Sequence, residues 1–286
     1  MSARGRALSG LVTVVMSLAG FATVGALPAA GVSDGNVEYV ALGDSYAAGT
    51  AAGSYPNCQR STAGYPALLV DIGRRIDLQA NVTCSGATTS SVATTQLSAL
   101  NRDTRLVTVT VGAADLGLTR VLTACTPVPP SDDCDDAIND ALALLVVGPE
   151  GESVLGNHLA SLFAEVVDEA PKALVVVTGY PLLFASPAPG TLNEDIINQV
   201  NAATILLNDA IKQAVEATQA PGVDIVYVDV TEAFEEHGIG GQLQPFINPP
   251  GTADAFHPTA AGYIAYADAI SATLPKAWLD KQKKSA

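Results

Sequence analysis

The feature that most constrains this chain is a repeated order: a short apolar run rich in β-branched residues, then a stretch with helical periodicity. The runs are EYVAL at 38–42, ANVTC at 80–84, RLVTVTV at 105–111, ALVVVTG at 173–179 and VDIVYVDV at 223–230. Strands that are apolar along almost their whole length belong to a sheet covered on both faces, hence parallel and flanked by helices. Predicted helices are YPALLVDIGRRI at 65–76, GNHLASLFAEVVDEA at 156–170, EDIINQVNAATILLNDAIKQAVEA at 194–217, and a last one over 258–274. Strands alternating with helices predict an α/β fold, a single three-layer α/β/α sandwich of about five parallel strands.

Ahead of the first strand, Arg4 and Arg6 precede an apolar core at 11–24 and then small residues, the order of a secretory signal peptide. We take 1–30 as that peptide, with cleavage near Ala26, and 31–286 as the single domain. The competing reading is an uncleaved anchor helix, but Ser17 and Gly20 interrupt the core, which falls short of the ~20 residues a span needs. The mature chain has no later segment suited to crossing a membrane. Cleavage leaves 12 basic residues against 29 acidic ones, a net charge of −17. Such a surface repels phosphate backbones and argues against nucleic acid as a partner.

The four cysteines form an even set in a chain expected to be exported. Cys125 and Cys134 enclose CTPVPPSDDC, a loop too polar and proline-rich to hold itself by apolar burial. A disulfide there is the economical reading, which leaves Cys58 and Cys84 to pair. The alternative is a four-cysteine zinc site, although the chain has no CxxC pair. No metal or other cofactor is expected.

In parallel α/β sheets the working groups gather at the carboxyl ends of the strands. Ser45 follows the first predicted strand, Gly86 the second, and Ala114 and Asp115 the third, so the topology puts them on one rim. Asp254 and His257 sit where the chain returns before the last helix. A serine hydroxyl becomes a nucleophile when a base takes its proton and a third group holds that base in the right tautomer. Of the three histidines, His158 lies in a predicted helix and His237 in a turn-like EEHG, whereas His257 follows an aspartate by three residues. The plainer alternatives are that GDS at 43–45 is only a strand exit and that Asp254 merely caps the last helix. G-x-S-x-G does not occur, so the nucleophile elbow of the α/β-hydrolases is missing.

GDSYAAG at 43–49, the glycine of CSGATTSSV at 84–92, VTVGAADLGLT at 109–119 and DAFHP at 254–258 together resemble the four sequence blocks of the SGNH, or GDSL, hydrolase family. The resemblance is to its secreted actinobacterial esterases and lipases, and it extends to TGYPLLF at 178–184 and VDVTEAFEEHGIG at 228–240. It implies a flavodoxin-like sandwich and a serine esterase or lipase acting through an acyl-enzyme, with Ser45 as nucleophile, His257 as base and Asp254 as its orienting partner. The oxyanion hole it implies has the Ser45 and Gly86 N–H groups as donors. It also implies the bridges Cys58–Cys84 and Cys125–Cys134, while Gly240 stands where many relatives carry a cysteine of a third bridge. The substrate class it implies is a small-molecule or lipid ester, and the protein is expected to be a secreted monomer.

One position departs from the family. The third block normally supplies an asparagine amide to the oxyanion, and here Ala114 stands in its place. Losing such a donor costs about 3–4 kcal/mol in the transition state. Two readings therefore stand beside hydrolysis: a degenerate member that binds an ester or glycan with weak turnover, and an acyltransferase using the same triad. Thr88 or Thr89 is the candidate for a substitute donor.

Overall fold

The computed structural model describes residues 36–53, 57–72, 75–127, 129–148, 153–186 and 194–275. The predicted signal peptide and its cleavage site near Ala26 lie outside them. Five strands, β1 (Val37–Gly43), β2 (Ile76–Asn81), β3 (Leu106–Thr110), β4 (Leu174–Thr178) and β5 (Asp224–Val228), form one sheet in the order β2-β1-β3-β4-β5, every pair parallel. That is the flavodoxin-like order, whose switch point lies between β1 and β3.

Both β3 and β4 are buried along their whole length, as their uninterrupted apolar runs require. The threonines among those apolar residues are satisfied in hydroxyl pairs. Tyr39 meets Thr108 at 2.7 Å, Tyr65 meets Thr110 at 2.8 Å, and Thr110 meets Thr178 at 2.6 Å. A buried hydroxyl with a partner avoids most of the desolvation cost it would otherwise carry.

Two boundaries differ from those expected. The second strand is Ile76–Asn81, not 80–84, and the helix expected over 65–76 is α2, Tyr65–Asp71. The cause is that β2 is an edge strand, half-exposed and mixed in polarity, so it lacks the apolar signature that marks the central strands. The stretch 82–84 still runs beside β1, with Val82 N–H donating to the Ala41 carbonyl and Cys84 N–H to that of Gly43. Helices that the sequence did not announce are α3 (Thr89–Thr95), α4 (Leu118–Cys125) and α5 (Cys134–Leu145). The expected longer ones are α6 (Val154–Glu169), α7 (Glu194–Thr218) and α8 (Ala260–Thr273), and a single turn, α1 (Ser45–Ala48), follows β1. Pro258 does not open α8: Thr259 is its N-cap, and neither Pro258 nor Asp254 has that role.

All four cysteines are paired as expected, Cys58 with Cys84 and Cys125 with Cys134. The first bridge ties the loop near Cys58 to the segment after β2, and the second joins α4 to α5. They close sequence separations of 26 and 9 residues, so the chain-entropy account gives about 3 kcal/mol of stabilisation for each. Reduction is therefore expected to lower the melting temperature by several degrees or more. Calorimetry with and without reductant checks this, and an unchanged melting temperature in protein shown by mass to be fully reduced would refute it.

Candidate active site

The turn after β1 is built to present Ser45. Gly43 has φ +127°, and a Cβ there would run into the backbone of Thr110 on β3, so glycine is required for the close approach of the two strand ends. Asp44 caps α1, its carboxylate accepting from the Tyr46 N–H at 2.9 Å. Ser45 becomes the first residue of that turn, half-buried in a cavity of about 320 Å³. His257, Gly86, Ala113 and Ala114 line the same cavity, with Leu118, Thr119 and Leu122 of α4 on its wall. Among the described residues the backbone N–H groups of Ser45 and Gly86 have no hydrogen-bond partner. Two unpaired donors on one cavity are what a developing oxyanion needs. Gly86 has φ +80°, the left-handed region that favours glycine.

No hydrogen bond joins Ser45 Oγ to the imidazole here; nucleophile and base commonly draw together only when substrate binds. His257 Nδ1 lies 3.1 Å from the Ala255 carbonyl oxygen, which leaves Nε2 as the nitrogen available to the cavity. The local Asp254–His257 side-chain pair suggested by the spacing is not formed. Asp254 is exposed, and its carboxylate acts on the ring only through space. Burial, the largest influence, lowers the His257 pKa below its ordinary value, against the smaller raising effects of the Ala255 carbonyl and the Asp254 charge. Desolvation wins because the ring is largely enclosed while the carboxylate that would offset it is in water.

The other histidines have the plain roles anticipated. His158 is exposed on α6, and His237 stacks on Phe246 with ring centroids 3.7 Å apart while its Nδ1 contacts the Gln244 carbonyl. Thr88 and Thr89 do not substitute for the missing amide. Thr88 Oγ1 caps α3 by accepting from the Ser91 N–H, and the Thr89 hydroxyl donates to Asp115 at 2.6 Å.

Comparison with known proteins shows the family and the fold. The model of the GDSL-like Lipase/Acylhydrolase family matches residues 41–265. The chain belongs to that family. Lipase 1 of Streptomyces coelicolor is 32% identical over 89% of this chain and 93% of that protein. The crystal structure of phospholipase A1 from Streptomyces albidoflavus NA297 superposes with TM-score 0.71 at 34% identity, covering 83% of this chain and 99% of that one. That of an extracellular lipase from Streptomyces rimosus gives 0.72 at 29%, covering 82% and 99%. This GDSL-family protein is accordingly a carboxylic-ester hydrolase of the lipase and esterase kind.

Several residues of this GDSL-family site hold its loops through bonds that the sequence does not announce. Gln96, buried, reads both backbone groups of Gly43, accepting from its N–H at 2.7 Å and donating to its carbonyl at 3.0 Å. Asp115 ties the Gly86 loop to the third block by accepting from Thr89 through both its N–H and its hydroxyl. Asn248 holds the histidine loop, with its backbone and side-chain N–H groups donating to the His257 carbonyl at 2.9 and 3.0 Å. The only available sequence signal was that these are amides and carboxylates beside the blocks, which does not separate them from solvated polar residues.

Next to the cavity is a narrow apolar slot of about 30 Å³ lined by α4, α5 and α7. Tyr46 and Leu118 border both spaces. On the other side, Gly86, Ala114 and Thr119 lead into an open cleft that reaches Ser131 and Asp133 of the disulfide loop.

Proposed function

We propose that this esterase works through Ser45 as nucleophile and His257 as general base, with the Ala255 carbonyl, not the Asp254 carboxylate, holding the imidazole. The observation that carries the reading is that Ser45, His257 and the unpaired Gly86 N–H line one cavity at the carboxyl edge of β1 and β3. His257 Nε2 takes the Ser45 proton as Oγ attacks the ester carbonyl. The tetrahedral oxygen accepts from the Ser45 and Gly86 N–H groups, the alcohol leaves with the proton, and water then releases the acid from the acyl-enzyme by the reverse sequence. The apolar slot beside Tyr46, at about 30 Å³, suits a short acyl group and the open cleft beyond Ala114 the alcohol. The leader at 1–30 and the similarity to an extracellular lipase support export, and we take the working form as a monomer.

The test uses the mature chain with p-nitrophenyl esters from acetate to palmitate and a fluorophosphonate label. Wild type should hydrolyse at least one ester and take up one label at Ser45, and Ser45→Ala should do neither. Labelling that persists in Ser45→Ala would reject the assignment. Weak turnover alone would not, because Ala114 supplies no amide.

The lowered His257 pKa sets the pH dependence. The neutral imidazole is the active base, so activity is lost as pH falls through the histidine pKa, and a lowered pKa moves that loss to more acidic pH. The acid limb of kcat/KM should have its midpoint below the ~6.5 of an unperturbed histidine. A midpoint at or above 7 on a neutral ester would contradict the burial argument.

A further inference from the structure

Three loops must keep register for this site to work: the turn carrying Ser45, the third-block turn at 112–115, and the loop carrying His257. One buried hydrogen-bonded chain passes through all of them. The Tyr180 hydroxyl accepts from the Ala113 N–H at 3.2 Å and donates to Asp44 Oδ2 at 2.5 Å. Asp44 Oδ1 accepts from the Tyr46 N–H at 2.9 Å, and the Tyr46 hydroxyl donates to the Phe256 carbonyl at 2.6 Å, one residue before His257. Asp44 is 1% exposed, Tyr46 3% and Tyr180 2%, so the bonds among Ala113, Tyr180, Asp44 and the Tyr46 N–H are shielded from water, while the one to the Phe256 carbonyl is partly buried. Tyr180 is itself fixed, because Asn208 on α7 accepts from its N–H and donates to its carbonyl, both at 2.8 Å. Phe256 has φ +66°, a strained conformation for a side chain of its size, held where Tyr46 reaches its carbonyl.

We propose that Tyr180 is a positioning residue of the esterase. Its hydroxyl, acting through Asp44, sets Ser45 at a fixed distance from the third-block turn and, through Tyr46, from the histidine loop. This rests on the reading of Ser45 and His257 given above. A displacement of about 1 Å of nucleophile or donors costs up to ~10²-fold in rate while leaving ground-state binding largely intact. Deletion of the hydroxyl should therefore appear in kcat and not in KM.

The experiment compares wild type, Tyr180→Phe, Asp44→Ala and the double variant, with kcat expressed per fluorophosphonate-titrated site so that misfolded protein is not counted. Phenylalanine keeps the edge-on packing against Tyr46, whose ring centroid is 5.2 Å away. We expect kcat to fall about 10- to 30-fold in Tyr180→Phe with KM within about twofold. Because Tyr180 acts through Asp44, the double variant should lose little more than the worse single variant. Tyr180→Phe with kcat per site within twofold of wild type and only a lower melting temperature would overturn the proposal, as would multiplying losses. If Tyr180→Phe yields no titratable protein, the comparison of Asp44→Ala with Asp44→Asn decides. Asparagine has one acceptor oxygen where the carboxylate uses two, so it keeps either the Tyr46 N–H or the Tyr180 hydroxyl contact and should recover part of the loss, and equal losses would refute the idea. Failure of the underlying reading is seen separately, as label uptake or turnover surviving in Ser45→Ala.

Discussion

His257→Ala is expected to lower kcat by ~10³-fold or more, whereas Asp254→Ala should cost less than tenfold. The first figure follows from removing the base that makes a hydroxyl nucleophilic near neutral pH. The second follows from the tautomer argument. What an orienting group must do is hold Nδ1–H so that Nε2 is free to accept, and the Ala255 carbonyl at 3.1 Å already does this. A backbone carbonyl carries only a partial charge, so it stabilises the imidazolium less than a carboxylate would. The exposed Asp254 adds a screened attraction from solvent, and its loss is correspondingly small. Kinetics per titrated site would test both. More than a tenth of activity left in His257→Ala would show a misassigned base, and a loss above 10² in Asp254→Ala would show that the carboxylate swings onto the imidazole during turnover.

Ala114→Asn is expected to raise kcat, by up to ~10²-fold, with little change in KM. An oxyanion donor acts on charge that appears only in the transition state, which is why the gain belongs to kcat. The structure strengthens the case, because the threonines that were candidate substitutes are committed elsewhere, Thr88 to the cap of α3 and Thr89 to Asp115. Ala114 is half-buried on the wall shared by the Ser45 cavity and the cleft beyond it, so an amide has space to enter. The new side chain would also narrow the passage between the two spaces, so esters of bulky alcohols should gain less than those of small ones. Steady-state kinetics on acetate esters of a small and a large alcohol would check both effects. A flat or reduced kcat on the small ester, in protein of unchanged melting temperature, would reject the account of an incomplete hole.

The sequence by itself determined the fold class and pointed to residues that line the candidate site. Apolar runs such as LVTVT and LVVVT read directly as buried parallel strands, because a strand covered on both faces has no solvent side to make polar. Small-residue turns after two of those strands, and the lone histidine before the last helix, then marked Ser45, Ala114 and His257, and the structure puts all three on one cavity. Where burial was partial the signal faded, and the edge strand Ile76–Asn81 was misplaced by several residues. What only the tertiary structure decided was partnership. Spacing allowed Asp254 to meet His257, but whether a side chain or a carbonyl reaches Nδ1 depends on loop dihedrals such as the positive φ of Phe256, which local sequence does not encode. The direction of the His257 shift likewise depends on enclosure by groups distant in the chain, among them Tyr46, whose ring centroid is 5.7 Å from the imidazole. The same holds for Tyr180 and Asp44, 136 positions apart and joined at 2.5 Å: a hydrogen bond between two ordinary polar residues leaves no periodicity behind, and only the folded sheet brings its ends together.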